Sequence, residues 1–191
     1  MPVALEDYLG IAGRPVTALE RSPAGPAPFW KRLTAVAAWL RVEHVATESG
    51  IATVTELSGE RAHGSIRLRG DIAGRQLEPL VETLRALATG RPEFDTPATP
   101  SRLSELGRDV EVLVAVSATC PFCPRVAAAA LRFACASVRV WSTVVRADLG
   151  LAPDAVQSVP SVLTQGRVVA TGSIGEYDLL EAILATDGPL P

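Results

Sequence analysis

Two cysteines three residues apart are the feature of this sequence with the clearest chemistry. Cys120 and Cys123 lie in the segment 119–124, which separates an apolar run at 110–116 from an alanine-rich run at 125–131. The first run predicts a buried strand and the second a helix. Residues i and i+3 share one face of a helix, so the two sulfurs can close a disulfide or open to a dithiol. The spacing therefore predicts thiol–disulfide chemistry.

The position of Cys120 at the mouth of the predicted helix favours its thiolate. Unpaired N–H groups and the helix macrodipole stabilise negative charge there, and the thiolate is the nucleophile. Pro121 suits the first helical turn, where its missing N–H costs nothing. We expect Cys120 to attack a substrate disulfide and Cys123, one turn deeper, to resolve the mixed disulfide.

Composition excludes several other classes of protein. The 191 residues allow one large domain or two small ones, and the chain is 48% hydrophobic and 20% charged with a net charge of -3. A basic block interleaved with aromatic residues is missing, which argues against nucleic-acid binding. No apolar run is long enough to span a membrane, and the acidic N-terminus lacks a signal pattern, so we expect a cytoplasmic protein. Three cysteines in a reducing compartment favour a catalytic pair over a structural disulfide framework.

The elements around the cysteines follow a repeated order. Apolar periodicity and turn residues predict strands and helices along the whole chain. The predicted strands are 15–20, 42–46, 51–57, 65–69, 110–116, 138–145, 158–164 and 167–171, with a hairpin turn at 165–166. The predicted helices are 29–42, 76–89, 101–106, one ending near 135, and 176–185. The second half has the order β-α-β-α-β-β-α and the first β-α-β-β-β-α, which predicts two similar α/β units; whether they share one sheet stays open.

These motifs resemble the thioredoxin/glutaredoxin superfamily. The two-fold arrangement is most similar to the N-terminal domain of the bacterial alkyl hydroperoxide reductase flavoprotein subunit and to archaeal protein disulfide oxidoreductases. The matching features are Cys120, Cys123 and Pro124, the pair Val159-Pro160, and residues 67–70 followed by Gly74 and a helix. The resemblance implies an α/β protein of two tandem thioredoxin-like folds, 1–97 and 98–191, with the first half degenerate and the second redox-active.

The resemblance also implies roles for individual residues. In the family a cis proline lies opposite the two cysteines, and Pro160 matches it by position, so Cys120, Cys123 and Pro160 are the expected catalytic set. Pro121, Phe122 and Val159 are expected to bind substrate around the exposed sulfur and along the backbone edge. The implied redox group is the Cys120–Cys123 disulfide itself, with no bound cofactor and no metal.

The implied partners are a protein disulfide or a peroxidase as electron acceptor. No Gly-x-Gly-x-x-Gly is present, so the donor is expected to be a separate flavoprotein or a thiol reductant. A binding module gated by the redox state, without general reductase turnover, is the alternative function. A glutaredoxin-like use of glutathione is a variant of the first function.

Some features depart from the family or have other interpretations. The first half has residues 21–26 where the second has its cysteine motif, and only Glu111, at the start of the strand before Cys120, is acidic, so the proton acceptor for Cys123 stays open. A zinc site would need further ligands from Cys135, His44 and His63, which lack ligand-like spacing. Cys135 is expected to be a small buried hydrophobe.

Overall fold

The computed structural model describes residues 4–60, 64–72 and 74–186. Its α-helices are α1 (Leu5–Leu9), α2 (Phe29–Val36), α3 (Leu77–Thr89), α4 (Thr99–Leu103), α5 (Cys123–Ala136) and α6 (Glu176–Leu184). Its strands are β1 (Val16–Ser22), β2 (Leu40–Ala46), β3 (Val54–Gly59), β4 (Ser65–Arg69), β5 (Val110–Val116), β6 (Val140–Arg146), β7 (Ser161–Thr164) and β8 (Arg167–Thr171). Short 3-10 turns cover Gly74–Gln76 and Ala147–Leu149.

These eight strands form one mixed sheet in the order β2-β1-β3-β4-β6-β5-β7-β8. In the first half β1 pairs parallel with β2 and antiparallel with β3, which continues into the antiparallel β4. The second half repeats this pattern with β5 between β6 and β7, and with β8 outside. A parallel pair of β4 and β6 joins the halves, so they share a continuous sheet. The division into units 1–97 and 98–191 stays a prediction.

Helix α5 is the central packing element of the second half. Its buried residues run from Cys123 to Cys135 and include five alanines among them, whose small side chains let neighbouring backbone approach closely. The hydroxyl of Ser142 on β6 donates to the carbonyl of Ala130 at 2.6 Å, which fixes the helix against the sheet. Helix α3 of the first half packs against α5, so the two halves meet through helices as well as through strands.

The predicted helix 29–42 is too long. Helix α2 ends at Val36, and Leu40 begins a strand that pairs in parallel with β1, opposite Val16. The predicted strands 65–69 and 110–116 are confirmed, and the second helix matches to within a residue. The strand predicted over 51–57 is displaced to Val54–Gly59, and the short helix predicted over 101–106 lies at Thr99–Leu103. Among the described residues no helix has both the length and the apolar character needed to cross a bilayer.

Candidate functional site

The two predicted cysteines form a disulfide at the carboxyl end of β5. Their Cα atoms are 5.5 Å apart, and α5 begins at Cys123, so Cys120 lies just before the first helical turn. The main-chain N–H of Cys123 points at the Cys120 sulfur, with a distance of 3.1 Å from nitrogen to sulfur. An N–H and a helix N-terminus directed at one sulfur favour its thiolate when the disulfide opens. This geometry is the one that the sequence predicts for Cys120, and its role as the attacking thiol stays a prediction.

The two cysteines also differ in their exposure to solvent. Cys120 is 7% exposed and Cys123 is fully buried, so of the two residues only Cys120 reaches solvent. Phe122 between them is 56% exposed, and Pro121 is exposed as well. The placement of Pro121 in the first helical turn is wrong: Pro121 precedes the helix, and Pro124 occupies that turn. The role of Pro121 and Phe122 in binding substrate stays a prediction.

The peptide bond between Val159 and Pro160 is cis, as the resemblance implies. Ser161, the next residue, opens β7 opposite Ala115 near the end of β5. Pro160 therefore precedes β7 at the same end of the sheet at which the cysteine segment follows β5. Pro160 is buried and Val159 half-buried. The structure thus places all six predicted site residues at one end of the sheet, while their individual roles stay predictions.

An arginine–aspartate pair holds the segment that leads to Cys120. The carboxylate of Asp148 accepts the N–H of Ala118 at 3.2 Å. Arg146, the last residue of β6, donates to the two oxygens of Asp148 at 2.7 and 2.8 Å. Hydrogen bonds from Arg146 are the main reason why the pKa of Asp148 lies below its ordinary value. Arg146 also donates to the main-chain oxygen of Asp71, so this clamp ties the cysteine segment to the first half.

The first half also contacts this segment through the turn before α3. The buried amide of Gln76 donates to the carbonyl of Ser117 at 3.1 Å. Gly74, whose φ is +57°, lies so close to the segment that a Cβ there would be 2.8 Å from the carbonyl oxygen of Ala118. The sequence predicts neither the contact of Gln76 nor the Arg146–Asp148 pair. Both hold the cysteine segment through contacts between the two halves of the chain, and the spacing of residues in a sequence does not reveal such contacts.

A groove of about 550 Å³ runs beside the cysteine segment and carries acids from the first half. Pro121 and Pro124 form part of its wall, and the charged residues that line it are Arg75, Glu78, Glu82, Asp95, Arg125 and Arg132. Burial is the main cause that raises the pKa of Glu82 above its ordinary value. Glu111 by contrast is exposed and is the second residue of β5, nine residues before Cys120. The acids that line this groove thus come from α3 and from Asp95, and none comes from β5.

The other candidate residues lie away from the disulfide or have no ligand-binding arrangement. Cys135 is free and buried near the end of α5, and burial raises the pKa of its thiol to about 12, as expected for a small hydrophobe. The imidazole of His44 contacts Ser22, and His63 lies outside the described residues. Within the described ranges, no group of three or more His, Cys, Asp and Glu side chains has the arrangement of a metal site.

Comparison with solved structures supports this architecture. The alkylhydroperoxide reductase protein AhpF of Enterococcus faecalis superposes with a TM-score of 0.78 at 20% identity, covering 94% of this chain and 95% of that one. The chain has a tandem thioredoxin-like fold. The NTD_N/C domain of the same Enterococcus protein gives 0.77 at 19% identity, with coverage of 94% and 95%. A protein disulfide oxidoreductase from Aeropyrum pernix gives 0.75 at 21% identity, with coverage of 96% and 90%.

The resemblance inferred from the sequence is therefore confirmed at the level of the fold. No protein-family model matches the sequence, and the search of curated proteins finds no match. At 19–21% identity the structural likeness carries the fold alone. The function must be argued from the site.

Proposed function

We propose that this protein is a thiol–disulfide oxidoreductase that works through Cys120 and Cys123. The observation that carries the proposal is the disulfide at the start of α5, in which the Cys123 N–H points at the sulfur of the more exposed Cys120. That arrangement supplies an attacking thiolate and a resolving thiol one helical turn apart. Both are needed for dithiol–disulfide exchange.

In the reduced protein the Cys120 thiolate attacks one sulfur of a substrate disulfide. A mixed disulfide forms and the other substrate sulfur leaves as a thiolate. The Cys123 thiolate then attacks the Cys120 sulfur, which closes the Cys120–Cys123 disulfide and releases the second substrate thiol. Two electrons pass to the substrate, and an external dithiol or flavoprotein must return them by the reverse exchange.

We further propose that the proton which Cys123 must lose passes to a carboxylate of the groove beside the cysteine segment. Glu82 is the candidate acceptor, because it lines that groove and burial raises its pKa above its ordinary value. Glu78 lies one turn earlier on the same helix and lines the same groove. The variants Glu82→Gln and Glu78→Gln should be compared by their pH–rate profiles. Loss of the acidic limb in one of them identifies the acceptor, and unchanged profiles in both exclude the two glutamates from proton transfer.

The acceptor in this proposal is a protein disulfide or the disulfide of a peroxiredoxin-type peroxidase. The donor is a separate flavoprotein or a thiol reductant, and the reaction takes place in the reducing cytoplasm. The comparison proteins support this choice because one is named as part of an alkylhydroperoxide reductase and another as a protein disulfide oxidoreductase. The redox group is the Cys120–Cys123 disulfide, without a bound cofactor.

The test is reduction of insulin by dithiothreitol in the presence of the protein. Wild type should accelerate it, Cys120→Ser should abolish the acceleration, and Cys123→Ser should accumulate a mixed disulfide. Cys135→Ser is the matched control, because this buried thiol takes no part in exchange, and it should retain full activity. If wild type forms the Cys120–Cys123 disulfide and yet gives no acceleration, the general reductase function is wrong.

One observation favours a second function, a binding module that responds to the redox state. Cys120 is only 7% exposed, which restricts access for a bulky protein disulfide, while the neighbouring Phe122 is largely exposed. In that case a partner would bind one redox state of the protein with little turnover. Turnover with a protein disulfide separates the two functions, because a catalyst reduces many substrate molecules. A binding module instead shows little turnover and a partner affinity that differs between its reduced and oxidised forms.

A further inference from the structure

The half without cysteines has a cavity at the position of the redox site in the other half. Strands β1 and β5 begin at residues 16 and 110, and helices α2 and α5 at 29 and 123, so both pairs are separated by 94 positions. The segment 26–29 therefore occupies the place of residues 120–123. By the same shift, Glu20 takes the place of Val114 on the preceding strand.

The hairpin that follows obeys the same correspondence. Val54 pairs with Arg21 at the start of β3, as Ser161 pairs with Ala115 at the start of β7. Thr53 therefore stands where Pro160 stands in the second half. Between segment 26–29 and this hairpin lies a cavity of about 350 Å³. The pseudo-symmetric counterpart of the redox site is thus a pocket without thiols.

A buried carboxylate forms one wall of this cavity. Glu20 is 2% exposed, and its Oε2 accepts the indole N–H of Trp30 at 2.6 Å. Its Oε1 accepts the N–H of Ala27 at 2.9 Å, and the hydroxyl of Ser22, which donates to the carbonyl of Gly25 at 2.8 Å, lies 3.4 Å from the same oxygen. Both donors are neutral, and a carboxylate has about four acceptor sites, so Glu20 retains the capacity for a further donor. A buried carboxylate is stable only when it is hydrogen-bonded and balanced by opposite charge.

The charge of Glu20 has no counter-charge in the cavity wall. None of the described residues that line the cavity is lysine, arginine or histidine. The carboxylate of Asp71 lies in the wall as well, where it accepts the hydroxyl of Thr53 at 2.7 Å. His44 contacts Ser22, and Arg146, which approaches the Asp71 main chain, has its guanidinium paired with Asp148. The cavity therefore has an excess of negative charge.

A second, independent observation points to a polar ligand. Thr55 lines the cavity and is fully buried, and its hydroxyl has no hydrogen-bond partner in the part of the chain that the structure describes. An unsatisfied buried hydroxyl is uncommon in folded proteins and often marks a place where a ligand or water completes the site. Thr55 pairs with Glu20 across β1 and β3, so the free hydroxyl and the carboxylate are adjacent.

We propose that this cavity binds a primary ammonium or a guanidinium group attached to an aliphatic stem. The cationic head donates to Glu20 and Thr55, with Asp71 adding attraction. The stem lies on the apolar part of the wall formed by Pro28, Phe29 and Ile72. Small amines and the lysine or arginine side chain of a partner share this chemistry. The proposal is independent of the redox function, because it concerns neither cysteine.

The hydrogen bond from Trp30 to Glu20 provides a direct signal for binding. We expect n-butylammonium and n-butylguanidinium to shift the indole N–H resonance of Trp30 saturably in ¹H–¹⁵N spectra of the full chain. The resonances of Trp39, which donates to the carbonyl of Leu9, and of Trp141, which is 51% exposed, serve as internal references and should stay in place. The neutral n-butanol should give at least about tenfold weaker binding, as expected when a charged hydrogen bond is lost.

Variants distinguish a cation site from an apolar cavity. Glu20→Gln keeps the shape and should weaken n-butylammonium at least about tenfold, whereas Thr55→Val should weaken it several-fold, about the value of one hydrogen bond. Should Glu20→Gln fail to fold, Asp71→Asn at the more exposed carboxylate replaces it and should also weaken binding. Equal binding of n-butanol and n-butylammonium, or a Trp30 resonance that neither cation moves, overturns the proposal.

The source of the cation is identified by one further comparison. Nα-acetyl-lysine-methylamide presents the same ammonium on a piece of peptide backbone. If it binds about tenfold tighter than n-butylammonium, the cavity takes a protein side chain, and if it binds equally or more weakly, the cavity takes a free amine. Both results support a cation site. Insulin reduction by Glu20→Gln should equal that of wild type, so failure of this proposal leaves the redox function unaffected.

Discussion

Removal of the charge on Arg132 should destabilise the protein strongly, because it leaves a buried carboxylate unbalanced. The side chain of Glu176 is 0% exposed, and its Oε1 accepts the N–H of Asp95 at 3.0 Å and the hydroxyl of Thr99 at 2.9 Å. Its Oε2 has no hydrogen-bond partner in the described part of the chain and lies 3.3 Å from Nη1 of Arg132. Arg132 is itself only 12% exposed and also pairs with Asp95 at 3.0 Å.

The expected loss of stability follows from the cost of leaving one partner of a buried ion pair. Breaking such a pair costs about 3–5 kcal/mol, and the lower figure applies because two neutral donors still bind Glu176. With a slope of about 2 kcal/mol per molar urea for a chain of this size, Arg132→Met should lower the unfolding midpoint by about 1.5 M. Far-UV circular dichroism and tryptophan fluorescence must give the same midpoint for this conversion to hold.

Three further variants test whether the buried charge is the cause. Glu176→Gln removes that charge and should lose less stability than Arg132→Met. The double variant should be more stable than the sum of the single losses predicts, by more than about 1 kcal/mol. Arg139→Met is the matched control, since Arg139 is 46% exposed and its ion pair with Asp109 is long, at 3.8 Å. Its effect should stay below about 0.5 kcal/mol. Additive losses, or equal effects of Arg132→Met and Arg139→Met, would refute the reasoning.

Three other predictions concern the buried thiol of Cys135, the Arg146–Asp148 pair and the exposed ring of Phe122. With a pKa of about 12, Cys135 should resist iodoacetamide at pH 8 in the folded protein and react only in urea, whereas reduced Cys120 should react in the native state; native labelling of Cys135 would contradict its burial. The fold lowers the pKa of Asp148 below 3.8, so its contribution to stability is present above that pH and is lost as the pH falls through the folded pKa. The difference in urea midpoint between wild type and Asp148→Asn should therefore shrink below about pH 4, and a constant difference would show that Arg146 stabilises no charge there. Phe122→Ser should slow insulin reduction about fivefold, the cost of one apolar interface contact, but leave reduction of a small aromatic disulfide unchanged; equal losses would indicate damage to the thiols instead.

The parts of the fold that local patterns determine were predictable from the sequence. Strand β5 is an apolar run, and its bounds match the prediction. The turn predicted at 165–166 is confirmed, since Gln165 and Gly166 have positive φ there, 51° and 75°, as a two-residue hairpin turn requires. The disulfide was predictable because strand, cysteines and helix are contiguous in the chain. In each case a few neighbouring residues carry the whole signal.

Elements whose secondary structure depends on partners distant in the sequence were not predictable from local patterns. Leu40 has the right spacing from Leu33 and Val36 to extend a helix, but it pairs with Val16 in the sheet instead. A distant parallel partner outweighs a weak helical preference, because pairing satisfies the backbone and buries the side chain. The pairing of β4 with β6, which joins the two halves, was likewise unpredictable, because no local feature of either strand specifies its neighbour in the sheet.

The proposed redox site is built by both halves of the chain, although both of its thiols lie in the second half. Gln76 holds the carbonyl of Ser117, and Arg146 reaches across to the main chain of Asp71. Helix α3 adds Glu82 to the groove beside the cysteine segment, a groove to which β5 contributes no acid. The first half has prolines in place of a cysteine segment and a buried carboxylate behind them. It carries no thiol of its own but forms a wall of the site in the second half, and this explains why a half without cysteines is packed so closely against the half that has them.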